Sequence, residues 1–260
     1  MRAFHRLTLP SAAAVVGLAS SLTLSSCAQR PVPCTVGRAL PYAAKYKPVS
    51  TEGTCDGVAA ASLAGDQLGL SAYNPTKEGG LPDTSQVTVA IRTVFLGGPT
   101  AAAFDRGVVD EDDNHAVAAI GNFTSDVPDD SGICSAPTLT STAQVLPALP
   151  EDAEAELPAQ DAVDVKETWS DVSVYVDAAA LGTQMKGTYS VTQDGCTATY
   201  HVLAMYPATD CTGEDGGPDQ AVCDDPASGI SPDFPVVCDP ALLLCVLDAD
   251  VDANLPVLKK

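Results

Sequence analysis

Gly187-Thr188-Tyr189-Ser190-Val191-Thr192, then Gln193-Asp194-Gly195, then Cys196-Thr197-Ala198-Thr199-Tyr200-His201-Val202-Leu203-Ala204-Met205-Tyr206 carries the clearest strand pattern in the chain. Two alternating runs flank an Asp-Gly pair, the strongest short-range signal for a hairpin with a tight turn. In the second run Ala198, Tyr200, Val202, Ala204 and Tyr206 fall on one face. Just upstream, Val172, Val174 and Val176 alternate with Ser173, Tyr175 and Asp177. Three successive runs of period two predict a three-strand antiparallel meander across residues 165–210.

Working outward, the pattern stays extended but weakens. Tyr42–Tyr46, Gln67–Tyr73 (closed by Asn74-Pro75), Val87–Arg92 and His115–Phe123 read as short strands within residues 42–145. Pro99–Arg106 reads as one short helix, with Pro99 at its first position and Gly107 as its stop. Residues 146–164 hold Pro147, Pro150 and Pro158 among Glu, Asp and Ala, the composition of an exposed acidic linker or long loop. Trp169, the one tryptophan, reads as a core or lid residue ahead of the valine run. The expected class is mainly β: an antiparallel sheet or sandwich-like domain with long loops, one short helix and a disulfide-rich C-terminal tail over residues 211–260. One domain built from both sides of residues 146–164 is expected, and two small β domains are the alternative.

The chain has nine cysteines: Cys27, Cys34, Cys55, Cys134, Cys196, Cys211, Cys223, Cys238 and Cys245. None stands in a Cys-x-x-Cys pair, which argues against a zinc ribbon or a thioredoxin-type site. In the tail, Phe234–Leu247 reads as a small hairpin that sets Cys238 opposite Cys245, and a bridge between those two is the favoured pairing.

The N-terminus accounts for the odd cysteine. Arg2 and Arg6 precede an uncharged stretch from Leu7 to Leu24, and Leu24-Ser25-Ser26-Cys27 follows. A basic n-region, an apolar core and a small-residue cleavage point make a secretory leader. This one resembles a bacterial lipoprotein leader with its lipobox. The resemblance implies that residues 1–26 are removed, that Cys27 becomes the first residue and carries the lipid, and that residues 27–41 form a lipidated tether. Ala28 in place of Asp implies sorting to the outer rather than the inner membrane. Eight cysteines then remain, an even number that suits a disulfide framework outside the cytoplasm. Asp194-Gly195-Cys196-Thr197-Ala198-Thr199-Tyr200 and Gly229-Ile230-Ser231-Pro232-Asp233-Phe234-Pro235-Val236-Val237-Cys238-Asp239-Pro240 are also similar to segments of a group of bacterial surface lipoproteins. That likeness extends to Val87–Arg92 and Ala136-Pro137-Thr138-Leu139, and it implies an address rather than a reaction.

Charge narrows the partners. The net charge is −21, and losing Arg2 and Arg6 with the leader takes it to −23. Such a balance repels nucleic acid and anionic head groups and favours cations or basic partners. Calcium is the one cofactor these acids suggest. Asp110-Glu111-Asp112-Asp113-Asn114 and the alternating Asp248, Asp250 and Asp252 offer oxygen ligands, the latter resembling the first half of an EF-hand loop. Ala253 stands where that loop needs Gly, and Lys259 where it needs Glu, so solvated acids are the simpler reading. For a serine hydrolase, His115 and His201 are the histidines beyond the leader, and Gly69-Leu70-Ser71-Ala72-Tyr73 breaks the nucleophile-elbow pattern at Tyr73. No His-Glu-x-x-His or phosphate loop is present. The expected function is a lipid-anchored, non-catalytic envelope protein with a surface, structural or partner-binding role. A calcium-binding adhesion-type module is the alternative, and a secreted hydrolase ranks below both.

Overall fold

A computed structural model describes residues 32–38, 40–152 and 157–259. Its strands are β1 (Tyr42–Gly53), β2 (Gly65–Tyr73), β3 (Thr88–Thr93), β4 (Ala119–Asn122), β5 (Ile133–Thr138), β6 (Thr142–Leu146), β7 (Val163–Asp177), β8 (Ala180–Gln193) and β9 (Cys196–Met205), with β10 (Val236–Asp239) and β11 (Leu244–Leu247) in the tail. The first nine form one antiparallel sheet in the order β4-β3-β2-β1-β9-β8-β7-β5, with β6 also on β7. Its two ends meet. The Thr140 amide donates to the Ile120 carbonyl at 2.7 Å, and the Thr124 amide to the Ser135 carbonyl at 2.8 Å. The sheet therefore curls into a near-barrel, which leaves fewer open edges than a sandwich.

The meander is β7-β8-β9, and the Asp-Gly turn joins its last two strands with Gln193 opposite Cys196. Asp194 and Gly195 both take positive φ, 51° and 80°, as a two-residue turn of the twisted hairpin type requires. Alternation then fills the interior with Tyr46, Val89, Trp169, Val174, Tyr189 and Tyr200, all buried. Trp169 and Tyr189 lie with ring centroids 4.8 Å apart. Strand β9 is covered on both faces. Ala198, Tyr200, Val202 and Ala204 face the interior, whereas Leu203 and Met205 pack outward on Cys211, Phe234 and Leu247 of the tail.

Several local readings change, and the strand read over His115–Phe123 narrows to β4 because His115 and Ala116 close a helix. The helix around Pro99 runs over Val94–Asp105 (α1), so Pro99 lies inside it. Its cap is Thr93, whose hydroxyl accepts the Leu96 amide at 3.2 Å, and that cap outweighs the preference of Pro for a first turn. It is not the one helix, since α2 (Glu111–Ala116) and α3 (Gln220–Asp224) follow. Residues 147–152 and 157–162 continue the β6–β7 hairpin through bridges Leu149–Gln160 and Asp152–Leu157.

Residues 32–38, expected within the tether, are built into the body. Cys34 and Val36 are buried, and the Gly37 amide donates to the Gly182 carbonyl at 2.9 Å. Gly182 has φ +63°, and a Cβ there would lie 2.2 Å from the Thr35 carbonyl oxygen. Gly182→Ala is accordingly expected to cost about 2–3 kcal/mol in a urea melt. A change under about 0.5 kcal/mol would mean that residues 32–38 do not pack there in solution.

Candidate functional site

The cysteines converge as a frame. Cys34 bonds Cys134, Cys55 bonds Cys196, Cys211 bonds Cys238 and Cys223 bonds Cys245. The expected Cys238–Cys245 bridge is thus corrected. The two residues are directly opposite in the β10–β11 ladder, as the hairpin reading required. A further segment decides their bonding. The Cys211 amide donates to the Leu243 carbonyl at 2.9 Å, and Gln220 of α3 accepts the Cys238 amide at 2.8 Å. These contacts bring Cys211 and Cys223 onto the face that Cys238 and Cys245 share. The Sγ atoms of Cys211, Cys223 and Cys238 lie within 4.8 Å of one another. Oxidised in pairs, they offer no thiolate to a metal. Cys27 lies outside the described residues.

The acidic candidates separate into two places. Asp110 caps α2 by accepting the Asp113 amide at 3.0 Å, and Asp112 sits in that first turn, where the helix dipole favours a carboxylate. Asp248 lies just past β11. Asp250 and Asp252 belong to a turn rather than an extended edge, because the Ala253 amide donates to the Asp250 carbonyl. Their carboxylates face Lys47 and His201 of the barrel. Lys47 Nζ is 3.2 Å from Asp250 Oδ1 and 2.5 Å from Asp252 Oδ2, and His201 Nδ1 is 2.5 Å from Asp252 Oδ1. Lys47 and His201 beside it hold the Asp252 carboxyl below the usual range. Any cation at this turn would compete with Lys47 and His201. Next to it, Lys45 reaches from β1 to the carbonyls of Leu247 and Ala249, so two lysines clasp the tail to the barrel.

A shallow groove beside this clasp is lined by Asp171, Lys186, Thr188, His201 and Asp252. His201 is half-exposed, in line with its place opposite the Tyr200 face. Ser71 is remote from it. The ladders set Leu68 opposite Tyr42 and Lys47 opposite His201, two strands apart and about 26 Å along the sheet at ~3.3 Å per residue. The structure therefore does not assemble Ser71 and His201 into a nucleophilic pair.

One group escaped the sequence reading. Glu167 is only 1% exposed inside the barrel, and its Oε1 accepts from the Thr93 hydroxyl at 2.7 Å and the Tyr189 hydroxyl at 2.8 Å. Among 34 acids nothing marks it, and simple alternation from Val172 would point it outward. A β-bulge at Asp171 (φ 52°), where the register shifts between Ser170 and Ser173, reverses the parity and turns Val165, Glu167 and Trp169 inward. Burial pushes the Glu167 carboxyl up to about 7, against the two hydroxyl hydrogen bonds and with help from nearby Asp66. Burial likewise pushes Asp66 up to about 6, although it accepts the Phe95 amide at 3.0 Å and the Gln67 amide at 2.7 Å. The folded protein thus binds more protons than the unfolded chain between the ordinary Glu value of 4.5 and about 7. Stability is fully present below that window and is lost as pH rises through it, by about 3 kcal/mol for Glu167. Glu167→Gln is expected to flatten most of the fall between pH 4.5 and 7.5 in urea melts, and an unchanged slope would assign the fall to other groups.

The described residues define a disulfide-locked antiparallel near-barrel with a clasped cysteine-rich cover. The chain belongs to the MlpA family, whose model matches residues 40–207. That match spans the barrel from the approach to β1 to the end of β9 and stops before Cys211. The chain is also similar to the "Putative lipoprotein MlpA" of Myxococcus xanthus, 26% identical over 230 residues that make up 88% of this chain and 89% of that protein. No solved structure matches the chain.

Proposed function

We propose that this protein is a lipid-anchored envelope lipoprotein whose barrel acts without catalysis, as a structural or partner-binding body. The observation that carries this reading is the cysteine count. All eight cysteines among the described residues are paired, so the one cysteine left over is Cys27, the residue that ends the lipobox-like Leu24-Ser25-Ser26-Cys27. The lipoprotein named above supports the same address. Among the described residues no helix is long and apolar enough to cross a membrane. Ala28 supports outer-membrane sorting.

The absence of a catalytic role is supported by where the polar groups are spent. Glu167 is sealed against Thr93 and Tyr189, and the His201–Asp252 pair joins Lys47 in holding the tail. A charge of −23 favours a basic envelope or extracellular protein as partner. The testing experiment is fractionation of cells producing the full chain or its Cys27→Ser variant, with the mass of the N-terminal peptide. An acylated Cys27 peptide in the membrane pellet supports the anchor, and an unmodified one overturns it.

A further inference from the structure

Strand direction gathers one set of exposed apolar side chains at the end of the barrel where the chain comes in. There β1 starts, β2 ends and β7 turns into β8. Four large apolar residues are solvent-exposed at that end: Leu40 (53%) ahead of β1, Tyr73 (45%) closing β2, Leu81 (65%) in the β2–β3 loop, and Leu181 (48%) at the start of β8. They come from four separate segments, so no single local accident explains them. Scattered exposed leucines are ordinary, and the clustering at one end is what calls for a partner.

We propose that this end of the barrel rests on a lipid surface, with Leu40, Tyr73, Leu81 and Leu181 as its contacts. The inference rests on the reading of Cys27 as the lipid-bearing residue. Covalent reach makes the argument. Cys34 is locked to Cys134, so seven residues of chain connect Cys27 to the barrel. Seven residues span at most about 25 Å, even fully extended. The loops around Cys34 are thereby held near the bilayer. The far end lies a whole β1 away, 12 residues or about 40 Å of strand. Tyr suits the polar side of a membrane interface, and Leu suits shallow insertion.

Charge selects the kind of lipid. Exposed Glu78, Asp126, Asp129 and Asp130 outnumber Arg38 and Lys77 at this end, which repels anionic head groups and leaves a zwitterionic surface as the fit. The opposite end has exposed Val94, Phe104 and Val108 on and after α1, but no leash holds those residues to the membrane.

Amide hydrogen exchange tests this on the full chain matured in cells, reconstituted in phosphatidylcholine vesicles, against the Cys27→Ser protein in solution. Amides of residues 76–83 and 178–182 are expected to slow about fivefold on the vesicles, while those of 53–58 and 101–109 are unchanged. Tyr73→Ser with Leu81→Ser in the acylated protein is expected to remove that slowing. Acylated protein with no slowing at 76–83, or with slowing at 101–109 instead, overturns the lipid-facing assignment alone. An N-terminal peptide without acyl mass overturns the anchor, and this inference with it.

Discussion

Cys27→Ser is expected to move the protein from the membrane pellet to the soluble fraction while leaving its melting temperature unchanged. The size of the effect comes from acyl chemistry. One acyl chain gives only marginal, reversible binding, and further chains add about 0.8 kcal/mol per buried CH₂, so a diacylglyceryl group with an N-acyl chain is a stable anchor. Removing the sulfur that carries the glyceryl group removes that attachment point. The fold should be indifferent, because the eight cysteines among the described residues pair among themselves. A variant that stays in the pellet with its leader cleaved would sink the anchor. If the leader remains attached, the acyl mass on the natural Cys27 peptide decides the question.

The second large effect belongs to the Cys34–Cys134 bridge. It closes a 100-residue separation and pins residues 32–38 across the barrel end. A closed loop of that length restricts the unfolded chain by about 4.7 kcal/mol on the loop-entropy account, and measured losses run from about 2 to 5 kcal/mol. The double variant Cys34→Ala with Cys134→Ala is therefore expected to lose about 4 kcal/mol. For a chain of this size that is a fall of roughly 8–16 °C in the melt. The Cys211–Cys238 bridge should matter less. Its separation is 27, and Cys223–Cys245 overlaps the same stretch, so the tail keeps one bridge when it loses the other. A loss below about 1 kcal/mol for Cys34–Cys134 would show that strand pairing alone holds the N-terminal segment.

Much of the sheet was legible because strand signals are local. The Asp194-Gly195 turn and the alternation on either side of it lie within a few residues of one another, and they produced the β7-β8-β9 meander as read. The β10–β11 hairpin was legible for the same reason, down to the register of Cys238 and Cys245. Helices were harder. The Asp110–Asp113 run, read as calcium ligands or solvated acids, is a capped first turn, because Asp and Asn serve loops and N-caps alike.

The sequence alone determined the alternating strands, the even set of eight cysteines beside a lipobox-like Cys27, and the acidic surface, each written in neighbouring residues or in totals. Tertiary structure decided the rest. Closure of the sheet depends on Thr140 meeting Ile120. The bonding of Cys238 and Cys245 depends on the 211–224 segment crossing their shared face. The burial of Glu167 depends on one bulge residue, Asp171, that reverses every inward position before it. In each case a residue's neighbours are distant in the chain, so no window of sequence contains the contact that sets its role.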